Sequence, residues 1–480
     1  MSAVRLEKVR KPTRMLSGVS VVAVMTKPHP CPHGKCVYCP GGPDFGTPQS
    51  YIGEEPALMR ALRVNFDPYQ QVRARLAQYE LLGQVPSKVE VVVMGGTFMA
   101  LPEGYQEWFI ANVFHAANRY PERKSSETPS LQEAQKLNEV AKIRIVGLTI
   151  ETRPDFAKEK HADRMLYLGA TRVEVGVQTV FDDVLALVRR GHTVRDTVEA
   201  TRVLKDSGFK VVYHVMPGLP GSDPDRDIQM VRELFENPDF RPDMLKIYPT
   251  VVVRGTELYN WWIEGRYRPY TDEEAIELIS ETYKYVPKWV RVMRIQRDIP
   301  VQYIEAGPRK GNLRELVELR AIDKGIDIRE IRFREVGRQE FYRGVEPSDL
   351  SIKREHYEAS RGMEVFLSVE DPSSRVVVGI LRLRIPSEKA HRPELKDRSA
   401  IIRELHVYGP EVPVGIRDEN SWQHRGWGAR LLREAEDVAR YEFSCRRVFV
   451  LPGVGAREYY RKHGYRKIES GPYMVKELAS

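Results

Sequence analysis

Between residue 19 and about residue 300 the chain alternates strand-sized apolar runs with amphipathic stretches. The runs fall at 19–25, 89–94, 143–150, 172–177, 210–215, 245–253 and 290–295, and helical spacing of apolar residues marks 68–82, 131–141, 155–168, 193–207, 225–236 and 272–285. Strands alternating with helices predict an α/β domain on a parallel sheet, open or closed into a barrel. The runs are apolar almost throughout, which fits burial on both faces of that sheet. Residues 125–130 are polar and read as a surface loop.

The pattern changes near residue 300. One helix at 311–324 precedes predicted strands at 328–336, 363–369, 374–384 and 399–408. A helix at 426–441, a strand at 447–451 and a short helix at 456–463 follow. Many strands with few helices predict an α+β domain around a mostly antiparallel, curved sheet. The chain therefore divides into a basic arm (1–18), an α/β domain (19–305), a linker helix (306–325) and an α+β domain (326–480).

A length of 480 residues accommodates two or three domains, and 42% hydrophobic with 30% charged residues is ordinary for a globular chain. No run approaches the roughly 20 apolar residues of a membrane helix. Arg5, Lys8, Arg10, Lys11 and Arg14 precede the first apolar run, but that run is short and no small-residue cleavage site follows. The chain reads as cytoplasmic. Its net charge of +8 gains meaning from clustering. Arg291, Arg294 and Arg297 recur together, as do Arg309, Lys310 and Arg314, while Arg461, Lys462, Arg466 and Lys467 sit beside tyrosines. Basic and aromatic residues together suit a phosphate backbone with exposed bases.

Three of the four cysteines lie in CPHGKCVYC, as Cys31, Cys36 and Cys39, directly after the first strand. Ligands of parallel α/β folds collect beyond the carboxyl ends of strands. Three thiolates suit zinc, with His33 as a fourth ligand, or an iron–sulfur cluster with one open iron. Other strand ends carry polar groups that would converge on the same place: Gly95 and Gly96 in MGGTFM, Glu151, Thr152 and Arg153, Glu174 and Gln178, and His214 before an MPGLPG turn. The tri-cysteine loop, Tyr38 before its third cysteine and the paired glycines resemble the radical S-adenosylmethionine superfamily, although four residues separate the first two cysteines where three are usual.

QHRGWGAR, residues 423–430, opens the predicted 426–441 helix, and a glycine-rich turn at a helix N-terminus offers free N–H groups to an anion. With RELHVYG before it and GVGAREYYRKHGYR after it, this order resembles the acetyltransferase superfamily that binds acetyl-coenzyme A.

Taken together, CVYCPGGPD, SYIGEEPALMRA, VVVMGGTFMALP, LTIETRPD, EVGVQT, RGHTV, LKIYPT, RVMRIQRDIP, GNLRELV and RELHVYG resemble the Elongator catalytic subunit family over roughly residues 15 to 478. The resemblance implies a partial (β/α) barrel of radical S-adenosylmethionine type followed by a GNAT-like domain. It implies a [4Fe–4S] cluster on Cys31, Cys36 and Cys39, with S-adenosylmethionine near Gly95, Gly96 and Gln178. Acetyl-coenzyme A falls to Lys88, to Glu404, Leu405, His406 and Val407 along the pantetheine arm, and to Gln423, Gly426, Trp427, Gly428 and Ala429 at the pyrophosphate. Tyr460, then Tyr459, are implied to position or activate the thioester. The implied reaction places a carboxymethyl group on carbon 5 of the wobble uridine in the tRNA anticodon, an adenosyl radical taking hydrogen from the acetyl methyl. Family members often have a longer basic N-terminal extension than this one. Two other readings are a protein lysine acetyltransferase on a structural N-terminal domain, with its base near Glu404 or His406, and a non-catalytic tRNA-binding subunit holding zinc. Whether the chain pairs with itself or with accessory subunits is left open.

Overall fold

The computed structural model describes residues 16–83, 85–122, 128–296, 299–412, 421–469 and 471–478. Arg5, Lys8, Arg10, Lys11 and Arg14 of the basic arm, residues 125–127 of the polar loop and Arg297 lie outside them.

The first domain carries β1 (Ser20–Met25), β2 (Lys88–Met94), β3 (Arg144–Thr152), β4 (Arg172–Gln178), β5 (Lys210–Val215), β6 (Met244–Ile247), β7 (Val252–Val253), β8 (Arg291–Ile295) and β9 (Ile304–Ala306). Seven of these form one sheet in the order β1-β2-β3-β4-β5-β6-β8, every pairing parallel. Strand order follows chain order, so each return passes over the same face and the sheet curls into a half-barrel. Apolar side chains fill both faces: β4 is buried along its whole length except at Gln178. The single predicted strand at 245–253 divides into β6 and β7, because Pro249 between them has no N–H for a ladder. β7 pairs antiparallel with β9 instead.

Helices cover the outside. Ser130 starts Leu131–Asn138 with a reciprocal capping box to Glu133, which is why the polar loop ends there. The predicted 155–168 helix begins only at Glu159, since Lys158 is extended after a short turn at Pro154–Phe156. The 17-residue helix Glu103–Arg119 had no sequence prediction: it is buried continuously from Phe109 to Ala117, so no polar stripe marks its period.

The second sheet comprises β10 (Ser351–Ala359), β11 (Gly362–Asp371), β12 (Val376–Ile385), β13 (Ser399–Val407), β14 (Arg447–Val450), β15 (Arg466–Lys467) and β16 (Met474–Glu477), in the order β10-β11-β12-β13-β14-β16-β15. All pairings are antiparallel except β13 with β14. That parallel pair runs only from Ser399–Arg447 to Ile402–Val450, after which the strands part. The predicted strand at 328–336 is wrong. Two short helices, Ile331–Arg334 and Val336–Arg343, stand there, and the Glu330 carboxylate caps the first by accepting from the Arg332 and Phe333 N–H groups. β10 had no prediction because it is an edge strand whose charged residues face outward.

One continuous apolar cluster runs through both sheets, from Val22 and Val91 to Ile401 and Val475. Gly453 lets the second domain approach β3 closely: a Cβ there would lie 2.0 Å from the Val146 carbonyl oxygen. Tyr473 Oη donates to the Ser207 carbonyl at 3.0 Å, and the Ser360 N–H to that of Pro238 at 2.6 Å. No helix among the described residues is long and apolar enough to cross a membrane.

Candidate active site: two cavities on one barrel

The loop after β1 bends Cys31, Cys36 and Cys39 over the carboxyl end of the half-barrel, where they line a cavity of about 160 Å³. Gly96 lines it too, with φ +99, and a Cβ there would come to 4.0 Å from Cys31 Sγ. Gly95 does not line it. Its φ is +123, and an added Cβ would meet Thr26 Oγ1 at 2.2 Å, so β1 rather than the cavity requires this glycine. Gln178 closes β4 in the left-handed region, φ +71, with Oε1 buried and unbonded.

Burial pushes the Cys31 and Cys36 thiols up, and the Arg190 guanidinium opposes it, Nη1 lying 3.9 Å from Cys36 Sγ. His33 Nε2 is 3.1 Å from Cys36 Sγ, Ser50 Oγ is 2.9 Å from Cys39 Sγ, and Gln49 Nε2 donates to Cys39 Sγ at 3.3 Å.

Below this cavity, inward side chains from successive strands form a polar layer. Glu151 is level with Glu174 across β3 and β4, His214 with Lys246 across β5 and β6, and Lys246 with Arg294 across β6 and β8. His214 Nε2 lies 2.8 Å from Glu174 Oε2, and the Lys246 ammonium donates to the same oxygen. Burial works to raise the Glu174 carboxyl, but Lys246, His214 and Arg172 together outweigh it and hold the group ionised.

A second cavity, about 1410 Å³, lies between the barrel and the second sheet. Glu404, Leu405, His406 and Val407 line it where β13 has parted from β14, with Lys88, Gln423, Gly426, Gly428, Ala429, Tyr459 and Tyr460. Lys88 Nζ donates to Gln423 Oε1 at 2.7 Å, and burial pushes this lysine down. Gln423 Nε2 donates to the Val407 carbonyl at 3.3 Å, which fixes the turn against β13. Gly426, φ +78, begins the helix Trp427–Asp437, whose first turn has no side-chain cap. Trp427 is buried in the core and does not line the cavity. A Cβ at Gly428 would come to 2.7 Å from Tyr459 Oη, so a side chain there would push the phenol aside. Tyr460 is buried and Tyr459 half-exposed; burial raises both phenols, Tyr459 to about 12.

The two cavities adjoin. Tyr51, Glu55, Met94, Glu174, Lys246 and Arg294 line both. Of these, sequence reasoning had not placed Tyr51, Glu55, Met94 or Lys246 in a site. Alternation within β6 was the available signal for Lys246, since it sets Lys246 opposite in facing to Leu245 and Ile247. Glu404 makes a poor base: burial works to raise its pKa, yet the Arg382 guanidinium, donating from Nε at 2.7 Å, holds it below the usual range. His406 is half-buried and its desolvation lowers its pKa, while its Nε2 lies 2.7 Å from the Ser17 carbonyl oxygen.

Residues 28–234 match the Radical SAM superfamily, 242–322 the Radical_SAM C-terminal domain and 332–465 the Acetyltransferase (GNAT) family. The tRNA uridine(34) acetyltransferase of Methanocaldococcus infernus is 52% identical over 476 residues, covering 98% of this chain and 87% of that protein. Elongator complex protein 3 of Homo sapiens is 49% identical, covering 98% and 86%. The solved structure of M. infernus Elp3 with an N-terminal deletion superposes with a TM-score of 0.84 at 47% identity, covering 96% of this chain and all of that one.

The radical SAM domain binds a [4Fe–4S] cluster and S-adenosylmethionine, and the GNAT domain binds acetyl-coenzyme A. The residues present fit these groups. Three spaced thiols share a cavity with the buried, unbonded Gln178 Oε1 and Arg153 Nη1, and the parted strands and uncapped helix face the larger cavity. With about half its residues identical to these relatives across nearly its whole length, the chain belongs to the Elongator complex protein 3 family.

Proposed function

We propose that the chain forms 5-carboxymethyluridine at the wobble position of tRNA from acetyl-coenzyme A. The supporting observation is the shared wall: six residues belong to both cavities, so an acetyl group from one side and a radical source on the other face a common space. When bound, the cluster and S-adenosylmethionine supply a carbon radical able to take hydrogen from an acetyl methyl.

The protein's own residues do the placing. Cys31, Cys36 and Cys39 hold the cluster, and Gly96 and Gln178 receive S-adenosylmethionine. Gly95 acts indirectly, by letting β1 and β2 close together. The 403–407 backbone edge, left open by β14, takes the pantetheine amides as an added strand would. The uncapped Trp427–Asp437 helix start takes the pyrophosphate, with Gly426, Gly428 and Ala429 leaving room and Trp427 anchoring the turn from the core. Lys88, at the start of β2, braces the pyrophosphate turn through Gln423. Both phenols stay protonated near neutral pH, so Tyr460 and Tyr459 donate hydrogen bonds to the thioester or its departing thiolate rather than remove protons. The wobble base leaves its stack to enter. A lysine acetyltransferase is disfavoured by the engaged Glu404 carboxylate.

Anaerobically reconstituted protein is expected to release 5′-deoxyadenosine in the presence of acetyl-coenzyme A and to add carboxymethyl mass to U34 of tRNA. Cys36→Ser abolishes both. Modification of tRNA by the Cys36→Ser protein would sink this function.

A further inference from the structure

The polar layer shared by the two cavities has one unmet demand. Glu174 is 1% exposed, and its Oε2 is taken by Lys246 and His214. Its other oxygen, Oε1, is buried without a hydrogen bond. A buried carboxylate oxygen left unpartnered is costly, on the order of 1–3 kcal/mol or more. Functional sites are where such a cost is retained. A donor brought by a ligand would meet that demand, and the cavities that Glu174 lines are where one can arrive. Gln178 lines only the thiol cavity, whereas Glu174 lines both.

The neighbours specify the donor further. Around the layer the chain presents Lys246 as donor, Glu174 Oε1 as acceptor and the Arg294 guanidinium as donor, with Met94 and Tyr51 offering apolar and aromatic surface beside them. The pairing edge of uracil is the complement: acceptor O4, donor N3–H, acceptor O2. Cytosine turns an N3 acceptor toward the same carboxylate, which repels it. Lys246, with His214 and Arg172, also keeps Glu174 ionised, so the layer opposes Oε1 becoming a donor itself.

We propose that Glu174 Oε1, flanked by Lys246 and Arg294, is the receptor for the uracil edge of the flipped wobble base and sets its preference for uridine over cytidine. This rests on the wobble-uridine reading above. A base held here lies at the wall common to both cavities, where carbon 5 can be reached from either.

Two experiments test it. In the first, reconstituted full-length protein receives anticodon stem-loops with uridine, N3-methyluridine or cytidine at position 34, and kcat/KM is compared. Wild type is expected to favour uridine over N3-methyluridine by about tenfold or more, the scale of one hydrogen bond to a charged group. In Glu174→Gln, whose amide can turn a donor toward the base, that ratio collapses toward one. A merely structural role would lower all rates together and leave the ratio standing, which overturns the proposal. The second experiment uses wild type alone, so folding of a variant does not enter. A stem-loop with 4-thiouridine at position 34 is irradiated and the cross-linked peptide sequenced. Attachment within 244–248 or at Met94 is expected; attachment only outside the layer overturns the proposal. Failure of wild type to modify uridine 34 at all would instead overturn the function on which it rests.

Discussion

Two groups of buried charge in this molecule look alike at first and behave differently. Between the domains, Arg403 spends all five of its N–H donors: on Asp243 twice at 2.7 Å, on Glu364 at 2.7 and 3.2 Å, and on the Phe209 carbonyl at 2.7 Å. Lys205 adds a bond to Asp243 at 3.1 Å, and Arg384 joins Asp206 to Glu364. Inside the barrel, by contrast, Glu174 Oε1, Gln178 Oε1 and Arg153 Nη1 are buried and unbonded. With every donor spent, Arg403 ties the halves together; the unbonded atoms inside the barrel line a cavity where a ligand can supply the partner.

The sharpest way to break the contrast is at Arg403. Arg403→Leu strands Asp243 and Glu364 in the interior, and removing one partner of a buried ionic network costs about 3–5 kcal/mol. Chemical denaturation of the full chain is expected to show that loss, and a loss under about 1 kcal/mol would remove the distinction.

Asp227 is an intermediate case, a buried carboxyl served only by neutral donors: the Gly218 N–H, Ser222 Oγ and Tyr270 Oη. Burial pushes it up to about 6. The folded protein therefore holds this proton more tightly than the unfolded chain does. The resulting stabilisation is complete below the ordinary aspartate range and is lost as pH rises through about 6. Stability measured from pH 4 to 7 should fall by on the order of 1–2 kcal/mol from this group, and Asp227→Asn should flatten that segment of the curve.

Gln178→Leu gives the smallest effect on folding. Replacing an unbonded polar group by an apolar one is nearly neutral, so stability should stay within about 1 kcal/mol of wild type. Calorimetry on cluster-loaded protein should nonetheless find weaker S-adenosylmethionine binding. Unchanged binding with a large stability loss would class Gln178 with Arg403.

Much of this was legible in the sequence because both sheets obey local rules. All seven strands of the half-barrel coincide with apolar runs, and the tri-cysteine loop and glycine turn carry their chemistry in adjacent residues. What stayed hidden depended on partners far along the chain. Glu103–Arg119 has no polar stripe to reveal its turns, and β10 reads as charged coil until its place at the sheet edge is known. In residues 328–336 the alternation of Ile331, Arg332, Phe333 and Arg334 imitates a strand, but Glu330 caps a helix there. Lys246 is the instructive omission. It sits in an apolar strand as a lone charge, and only parallel register beside Glu174 and His214 turns it into part of a site.

The close seating of Gly453 on β3 has a bearing on how such a catalyst could be re-engineered. Because a close-seated glycine and a shared apolar core set how the halves meet, the span between the thiols and the second cavity is carried by that contact face. A chimera carrying another relative's C-terminal half inherits the right span only if its contact face, glycine included, comes from the same donor.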